Sequence, residues 1–561
     1  MDVGKLQRKL TEWSIQRIEE PKNGLFASKK DMRLFDLYHL LYDMEWLRVA
    51  HANVSQNAGS KTAGCDGVNM TYFDKDLEKN LQRLAEELRK QKFEPQPVRR
   101  VHIPKRNGKL RPLGIPAIRD RIVQEALRMI LEPIFEAEFY RHSYGFRPNR
   151  NTHDAVGMLI HHASNTAKYF WVIEGDIKSY FDTINHKKLI QLLRCRIKDK
   201  KLLRLIWKFL KAGVMEGKLF KNTEKGTPQG GIISPLLANL YLHELDVYMQ
   251  RKAGTGHERV KRRQKGKACY VHIRYADDFV VMCNGSRADA EAMKLELQQF
   301  LVEELKLMLS MEKTRVTHIN DGFKFLGFDI QREMTGKGIM WPKHTIPKET
   351  LRNFRGKVME ITSPSSYNHS VISKITALNY LLRGWGNYYR TTHFVSRVYG
   401  NLDNFVFWQL AHWLGRKYRC QMPKIMRRFK KRVDGTITLG TETAALFRLS
   451  SIEFGILKKR TFTNPYTQNV IQLNCEELYD NHYQWNGNEK LPGFSDLRQI
   501  VFERDNWTCQ RCSCKVDEYT GEVDHIQPLK RFKTLRDASR LNNLQTLCMP
   551  CHKQKTQSES N

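Results

Sequence analysis

The stretch that most limits what this chain can become is His272-Ile273-Arg274-Tyr275-Ala276-Asp277-Asp278-Phe279-Val280-Val281-Met282. β-Branched and aromatic residues lie on both sides of a short polar break, the pattern of two strands joined by a tight turn. The break carries two adjacent carboxylates, which repel each other unless something positive sits between them. Paired aspartates also occur as plain solvated turn residues, so the neighbouring sequence has to decide between the two readings. In a chain with 94 Lys+Arg against 60 Asp+Glu, acids gathered at one point suit a divalent cation. Mg²⁺ takes one or two protein carboxylates and fills its shell with water and substrate phosphate. A third acid is expected nearby, and the best placed is Asp176, at the end of the strand-like run Tyr169-Phe170-Trp171-Val172-Ile173-Glu174-Gly175.

The net charge of +34 is a statement about partners rather than about fold. Each phosphate neutralised by Lys or Arg releases counterions, so a nucleic acid is the expected partner. A length of 561 residues allows three or four domains at about 150 residues each. Met1-Asp2-Val3-Gly4-Lys5-Leu6 lacks the apolar core of a signal peptide. No run approaches the ~18 apolar residues of a membrane span, so no membrane partner is expected. The expected location is cytoplasmic. Of 11 cysteines, five fall between positions 509 and 551, a clustering that points to metal ligation rather than disulfides.

Along the chain, residues 1–50 read as amphipathic helix, with Leu34, Leu37, Leu40 and Leu41 at helical spacing. A Gly-rich basic loop follows at 57–67, with a simple connector as an equal reading. Val98 to Leu113 alternates apolar and basic residues around Asn107-Gly108, as in a two-stranded ribbon with one cationic face. Lys105 and Arg111 are its candidates for phosphate contact, against a merely solvated face. Gln124 to Phe139 reads as a helix, ending in the aromatic and guanidinium loop 143–150. Gly226-Thr227-Pro228-Gln229-Gly230-Gly231 is a tight turn whose glycines allow a ligand to approach the backbone, and a helix at 236–249 follows it. Lys313 lies in a strand-loop element, and Phe323-Lys324-Phe325-Leu326-Gly327-Phe328 reads as a further hairpin.

Taken in order, Asp176 with Phe181, Pro228-Gln229-Gly230, Tyr275-Ala276-Asp277-Asp278, Lys313 and Phe325-Leu326-Gly327-Phe328 resemble the motifs of a reverse transcriptase. Together with Leu381-Leu382-Arg383-Gly384-Trp385-Gly386-Asn387-Tyr388-Tyr389, they resemble a bacterial group II intron-encoded protein over most of residues 55–560. The resemblance implies that Asp176, Asp277 and Asp278 hold two Mg²⁺ about 4 Å apart. These activate a primer 3′-hydroxyl and steady the leaving pyrophosphate. It also implies that Phe181 packs against the sugar and selects deoxynucleoside triphosphates. Gln229, Gly230 and Tyr275 would line the nucleotide and template pocket. Lys313 would act on pyrophosphate as a general acid, or serve as a plain ion-pair partner.

Residues 345–435 read as mostly helical and increasingly basic, interleaving cations with aromatics that can hold phosphates and stack on unpaired bases. Arg383, Trp385, Arg416, Lys417, Arg427 and Arg428 are the candidate RNA-binding residues. The resemblance makes this region the thumb, or maturase domain. Residues 436–490 turn to Thr/Asn/Tyr-rich short strands that by resemblance reach target DNA.

Cys509-x-x-Cys512 and Cys548-x-x-Cys551 have the spacing of a tetrahedral Zn²⁺ site, with Cys514 as a competing ligand or a bystander. Asp524-His525, Asn543 and His552 follow the order of an HNH endonuclease, whose ββα-metal fold is thereby expected. His525 would be the general base, near its ordinary pKa of about 6.5. Asp524 and His552 would hold one Mg²⁺ or Mn²⁺, and Asn543 would orient His525 or its loop. A structural zinc ribbon that docks on DNA is the rival reading, and it leaves Asp524, His525 and Asn543 without a task.

The expected fold is α+β and multidomain: a right-hand polymerase of fingers, palm and thumb, a helical maturase domain, and a C-terminal HNH module with zinc. The expected divisions are 1–165 (N-terminal extension and fingers), 166–340 (palm), 341–435 (thumb and maturase), 436–492 (DNA-binding connector) and 493–561 (HNH). The expected function is RNA-directed DNA polymerase, maturase and target-DNA nickase during retrohoming of the intron. Its partners are intron RNA, target DNA and deoxynucleoside triphosphates, with a second copy of the chain as a further candidate. The rivals are a reverse transcriptase domesticated for phage defence or spacer capture, and a splicing cofactor with a vestigial polymerase.

Overall fold

The computed structural model describes residues 2–19, 34–104, 110–216, 219–221, 226, 230–310, 312–336, 338–433, 435–457, 462, 464–467, 494–516, 521–527, 541–548, 550–552 and 554–555. Lys105, Asn107, Gly108, Thr227, Pro228 and Gln229, singled out above, lie outside the described residues, as does most of the connector.

A four-stranded antiparallel sheet forms the centre, in the order Tyr270–Tyr275, Asp278–Cys283, Trp171–Asp176, Arg315–His318. The inner strand Asp278–Cys283 is apolar from Phe279 onward because both faces are covered. Side chains alternate across a strand, so Ile173, Phe279 and Val281 enter one core while Val172, Val280 and Met282 enter another. The helices Ser234–Ala253 and Arg287–Glu303 pack on the first side, and Thr152–His162 on the second. The expected hairpin of residues 272–282 is present, with Tyr275 opposite Asp278 and a two-residue turn between them.

A second sheet carries the expected cationic ribbon. Val98–Pro104 pairs antiparallel with Leu110–Ile115, and its start lies parallel to Val214–Glu216. The long helix Ile118–Glu136 behind it is buried along nearly its whole length.

Four helices follow, Lys348–Ile361, Val371–Tyr389, Val395–Tyr418 and Met422–Phe429. Their core is built around Phe354, Leu378, Leu382, Tyr399, Leu410 and Trp413. The joint between this bundle and the central body uses two of the motifs noted above. Phe325 pairs with Phe328 around the Leu326-Gly327 turn, where both residues have positive φ, 47° and 78°. Tyr388 Oη donates to the Leu326 carbonyl at 2.7 Å, and Tyr389 Oη donates to that of Gly327 at 3.3 Å. The tyrosines therefore bolt the turn to the bundle.

At the C-terminal end, the helix Phe494–Arg504 packs on an antiparallel pair, Gly521–His525 with Leu544–Cys548. Among the described residues, Val501, Phe502, Val523 and Leu544 form one small apolar cluster, and Val516 and Leu547 pack with the cysteines in another. Among the described residues, no helix is long and apolar enough to cross a membrane.

Candidate active sites

Asp176 ends its strand directly opposite Asp278, and Asp277 occupies the adjoining hairpin turn. Opposed antiparallel residues have Cβ atoms roughly 5 Å apart, so three carboxylates converge at one end of the central sheet. Their electrostatics match that crowding. Burial pushes the Asp278 carboxyl up to about 6, and the charges of Asp277 and Asp176 add to the rise. Burial also raises Asp277, with Asp176 adding to it and Arg111 and Arg274 opposing it. Crowded acids held partly out of water make a donor set suited to hard divalent cations. Lys313 Nζ donates to Asp176 Oδ2 at 2.8 Å and is 67 % exposed.

The surroundings form a close-fitting wall. Phe181 is buried beside Gly226, where an added Cβ would lie 2.8 Å from the Phe181 carbonyl oxygen. Gly230 has φ +116°, and a Cβ there would meet the Gly114 carbonyl oxygen at 2.3 Å. The turn thus presses against the basic ribbon, and Gln124 accepts a hydrogen bond from the Ile232 amide at 2.8 Å. Arg111 lies exposed on that ribbon, and Tyr275 is half-buried at the strand end.

Sequence reasoning missed the support beneath the acids. Arg274 and Asp246 are fully buried and joined by two hydrogen bonds, of 2.8 and 2.5 Å. Arg274 also donates to Asn239 and to the carbonyl of Ala276, both at 2.9 Å, and so fixes the turn that carries Asp277. His272 shares Asp246 at 3.0 Å. Asn239 donates to the Gly145 carbonyl at 2.7 Å. A Cβ at Gly145 would sit 2.4 Å from the Ala276 nitrogen. A signal for this network was present in the sequence. Asn239, His243 and Asp246 form a polar stripe at i, i+4, i+7 on an apolar helix, and His272 and Arg274 are two apart on a strand. Asp246→Ala is expected to cost about 3–5 kcal/mol in denaturant unfolding, because it strands a buried guanidinium.

In the C-terminal unit, the sulfurs of Cys509, Cys512, Cys548 and Cys551 all lie within 4.8 Å of one another. Cys514 stands beside that set, its Sγ 3.4 Å from that of Cys512. Asp524 Oδ1 lies 3.7 Å from His552 Nε2, which brings together a carboxylate and an imidazole that could share one cation. Asn543 is tied to the loop after His525. Its Oδ1 accepts from the Gln527 amide at 2.8 Å, and its carbonyl accepts from the Ile526 amide at 2.7 Å.

Of the basic candidates in the helical bundle, Arg383, Arg416, Arg427 and Arg428 are exposed. Arg383 lies over the Phe447 ring and Arg428 over Tyr418. Lys417 is half-committed, donating to the carbonyls of Tyr367 and His369. Trp385 is packed among Phe354, Tyr389 and Tyr399, so its ring serves the joint between bundle and body and offers little free face for stacking.

Residues 103–330 match the family of reverse transcriptases (RNA-dependent DNA polymerases), 351–433 the group II intron maturase-specific domain, and 509–558 the HNH endonucleases. The chain is 37 % identical to group II intron-encoded protein LtrA of Lactococcus lactis, over 92 % of this chain and 95 % of that one. It is 40 % identical to protein YkfC of Escherichia coli, over 63 % of this chain and 95 % of the other. A putative COX1/OXI3 intron 2 protein of Saccharomyces cerevisiae is 27 % identical, over 91 % of this chain and 65 % of that protein.

Proposed function

The chain belongs to the group II intron-encoded proteins, and from that premise we propose how its residues divide the work. It is an RNA-directed DNA polymerase, a maturase for its intron RNA and an HNH endonuclease that nicks target DNA to prime reverse transcription. Intron RNA, DNA and nucleotides are its partners.

We assign the polymerase chemistry to Asp176, Asp277 and Asp278, and their meeting at one sheet end is the observation that carries the assignment. These acids would hold two Mg²⁺, which when bound acidify the primer 3′-hydroxyl and neutralise the departing pyrophosphate. Lys313, exposed and paired with Asp176, would turn to the pyrophosphate oxygens and deliver a proton there. Phe181 would close the pocket against a ribose 2′-hydroxyl. Arg111 and Lys105 would grip triphosphate or template phosphates, and Gly230, Gln229 and Tyr275 would face the nucleotide. In this reading the central sheet is the palm (166–340), residues 1–165 supply the N-terminal extension and fingers, and the bundle is the thumb and maturase domain (341–435). Arg383, Arg416, Lys417, Arg427 and Arg428 would contact RNA phosphates, with Trp385 holding the bundle to the palm. Residues 436–492 would lead to target DNA.

In the HNH module (493–561), His525 Nδ1 or Nε2 would take the proton from the attacking water. Asn543 pins the loop that follows it. Asp524 and His552 would hold one divalent cation, which when bound offsets charge on the scissile phosphate. The four cysteines would hold a structural Zn²⁺. The working location is the bacterial cytoplasm, at the nucleoid when DNA is the substrate. His525→Ala is expected to lower bottom-strand nicking by roughly 10²-fold or more, the usual worth of a general base, with splicing unchanged. A target-primed assay run beside a splicing assay tests this, and a loss of splicing would show that the module works on RNA.

A further inference from the structure

We infer that Lys555 is an internal counter-ion that occupies Asp524 of the nuclease centre until a divalent cation and a DNA phosphate arrive together, so that metal and DNA bind there cooperatively. The inference rests on the reading of Asp524 and His552 as metal ligands. Lys555 Nζ donates to Asp524 Oδ2 at 2.6 Å and also to the His525 carbonyl. Gln545 donates to the same Asp524 oxygen at 3.3 Å, while the other oxygen faces His552. Both carboxylate oxygens therefore already have a protein neighbour.

Asp524 itself has little freedom to move away. It sits in a strand in register with Gln545, and its neighbour His525 pairs with Leu544. The side chains of Lys555 and Asp524 are only 16 % and 14 % exposed, so water weakens the pair little. The ammonium 2.6 Å from Oδ2 opposes any other cation seeking that oxygen. Lys313 in the polymerase centre differs, because it is largely exposed and can pass into solvent at little cost. Lys555 is mostly covered, and its bond to the His525 carbonyl keeps the ammonium at the hydrolytic centre. When it leaves Asp524 it can turn to the phosphodiester placed for attack by water, an anion at the same centre. DNA thereby relieves Asp524 for metal, and metal relieves Lys555 for DNA, a coupling that is reciprocal by linkage.

The test measures Mn²⁺ affinity by electron paramagnetic resonance, with and without a duplex oligonucleotide, and subtracts Mn²⁺ bound by the duplex alone. The protein is the full chain loaded with zinc. An Asp277→Ala, Asp278→Ala, His525→Ala background silences the palm and keeps the DNA intact. With Lys555 present, the duplex is expected to tighten Mn²⁺ binding by about tenfold or more. Lys555→Ala is expected to bind Mn²⁺ more tightly without DNA and to keep only the smaller gain that direct Mn²⁺–phosphate attraction supplies. Asp524→Ala is expected to abolish Mn²⁺ binding at this centre, leaving the free-Mn²⁺ signal at its protein-free level. Binding that survives Asp524→Ala would overturn the metal centre itself, and the inference with it. Loss on Asp524→Ala combined with unchanged or weaker Mn²⁺ affinity in Lys555→Ala would overturn the counter-ion role alone. Circular dichroism and retained zinc content identify any variant that failed to fold, and Lys555→Gln then replaces Lys555→Ala in the same measurement.

Discussion

Asp277→Ala is expected to abolish primer extension on an RNA template, lowering kcat by roughly 10³-fold or more, with binding of intron RNA unchanged. Three acids brought within range of one another are costly to keep. Asp278 is pushed up to about 6 by burial and by its two neighbours, and a folded chain tolerates such crowding where a cation offsets it. Losing one acid takes away a ligand and leaves the substrate phosphates facing fewer fixed positive charges. The turn should survive the change. The Asp277 side chain caps no helix, and the turn is fixed through the Ala276 carbonyl by Arg274. RNA binding is expected to persist because the exposed arginines of the helical bundle lie on other elements. Filter binding and single-nucleotide extension on the same preparation decide the matter. Extension that survived Asp277→Ala would remove the polymerase assignment.

Cys548→Ser, or stripping with a strong chelator, is expected to unfold the C-terminal module and end nicking while primer extension continues. The module's described apolar core amounts to Val501, Phe502, Val523 and Leu544, with a second small cluster around the cysteines themselves. Small apolar clusters of this kind gain from a metal crosslink, because a bound metal adds its binding energy to folding. A four-thiolate zinc site contributes about 10–16 kcal/mol of apparent binding energy, which becomes folding energy. Cys548 is well placed to reveal this, because it ends the strand paired to the one bearing Asp524 and His525. Limited proteolysis should show residues 494–555 becoming sensitive while the polymerase body stays protected. Continued protection after the metal is removed would make the four cysteines dispensable to the fold.

Several elements were legible before any coordinates because their signal is local. The hairpin around Ala276-Asp277 announces itself through β-branched runs on either side of a polar break, and Phe325-Leu326-Gly327-Phe328 through a turn between aromatics. The paired Cys-x-x-Cys spacings place ligands that chain geometry then brings together. Roles that depend on distant partners were harder to see. Trp385 reads as an aromatic among cations, suited to stacking on a base, yet it is packed in the joint with Phe354 and Tyr389. Tyr388 and Tyr389 belong to the same joint through their hydroxyls on the Leu326-Gly327 turn, a link spanning about sixty residues that no local pattern encodes.

The sequence alone determined the inventory. It supplied three aspartates in the order of a reverse transcriptase, a basic chain for nucleic acid, two cysteine pairs, and the Asp-His, Asn, His order of a nuclease. Residue types and short spacings suffice for that, since they set what chemistry is available. Only the tertiary structure decided how those groups are held and which are already engaged. Arg274 reaches Asp246 across the helix–strand interface and fixes the turn that carries Asp277, and Lys555 reaches Asp524 from beyond the last cysteine. Both are charge pairs whose strength comes from burial, and burial is a property of the packed chain rather than of any segment of it.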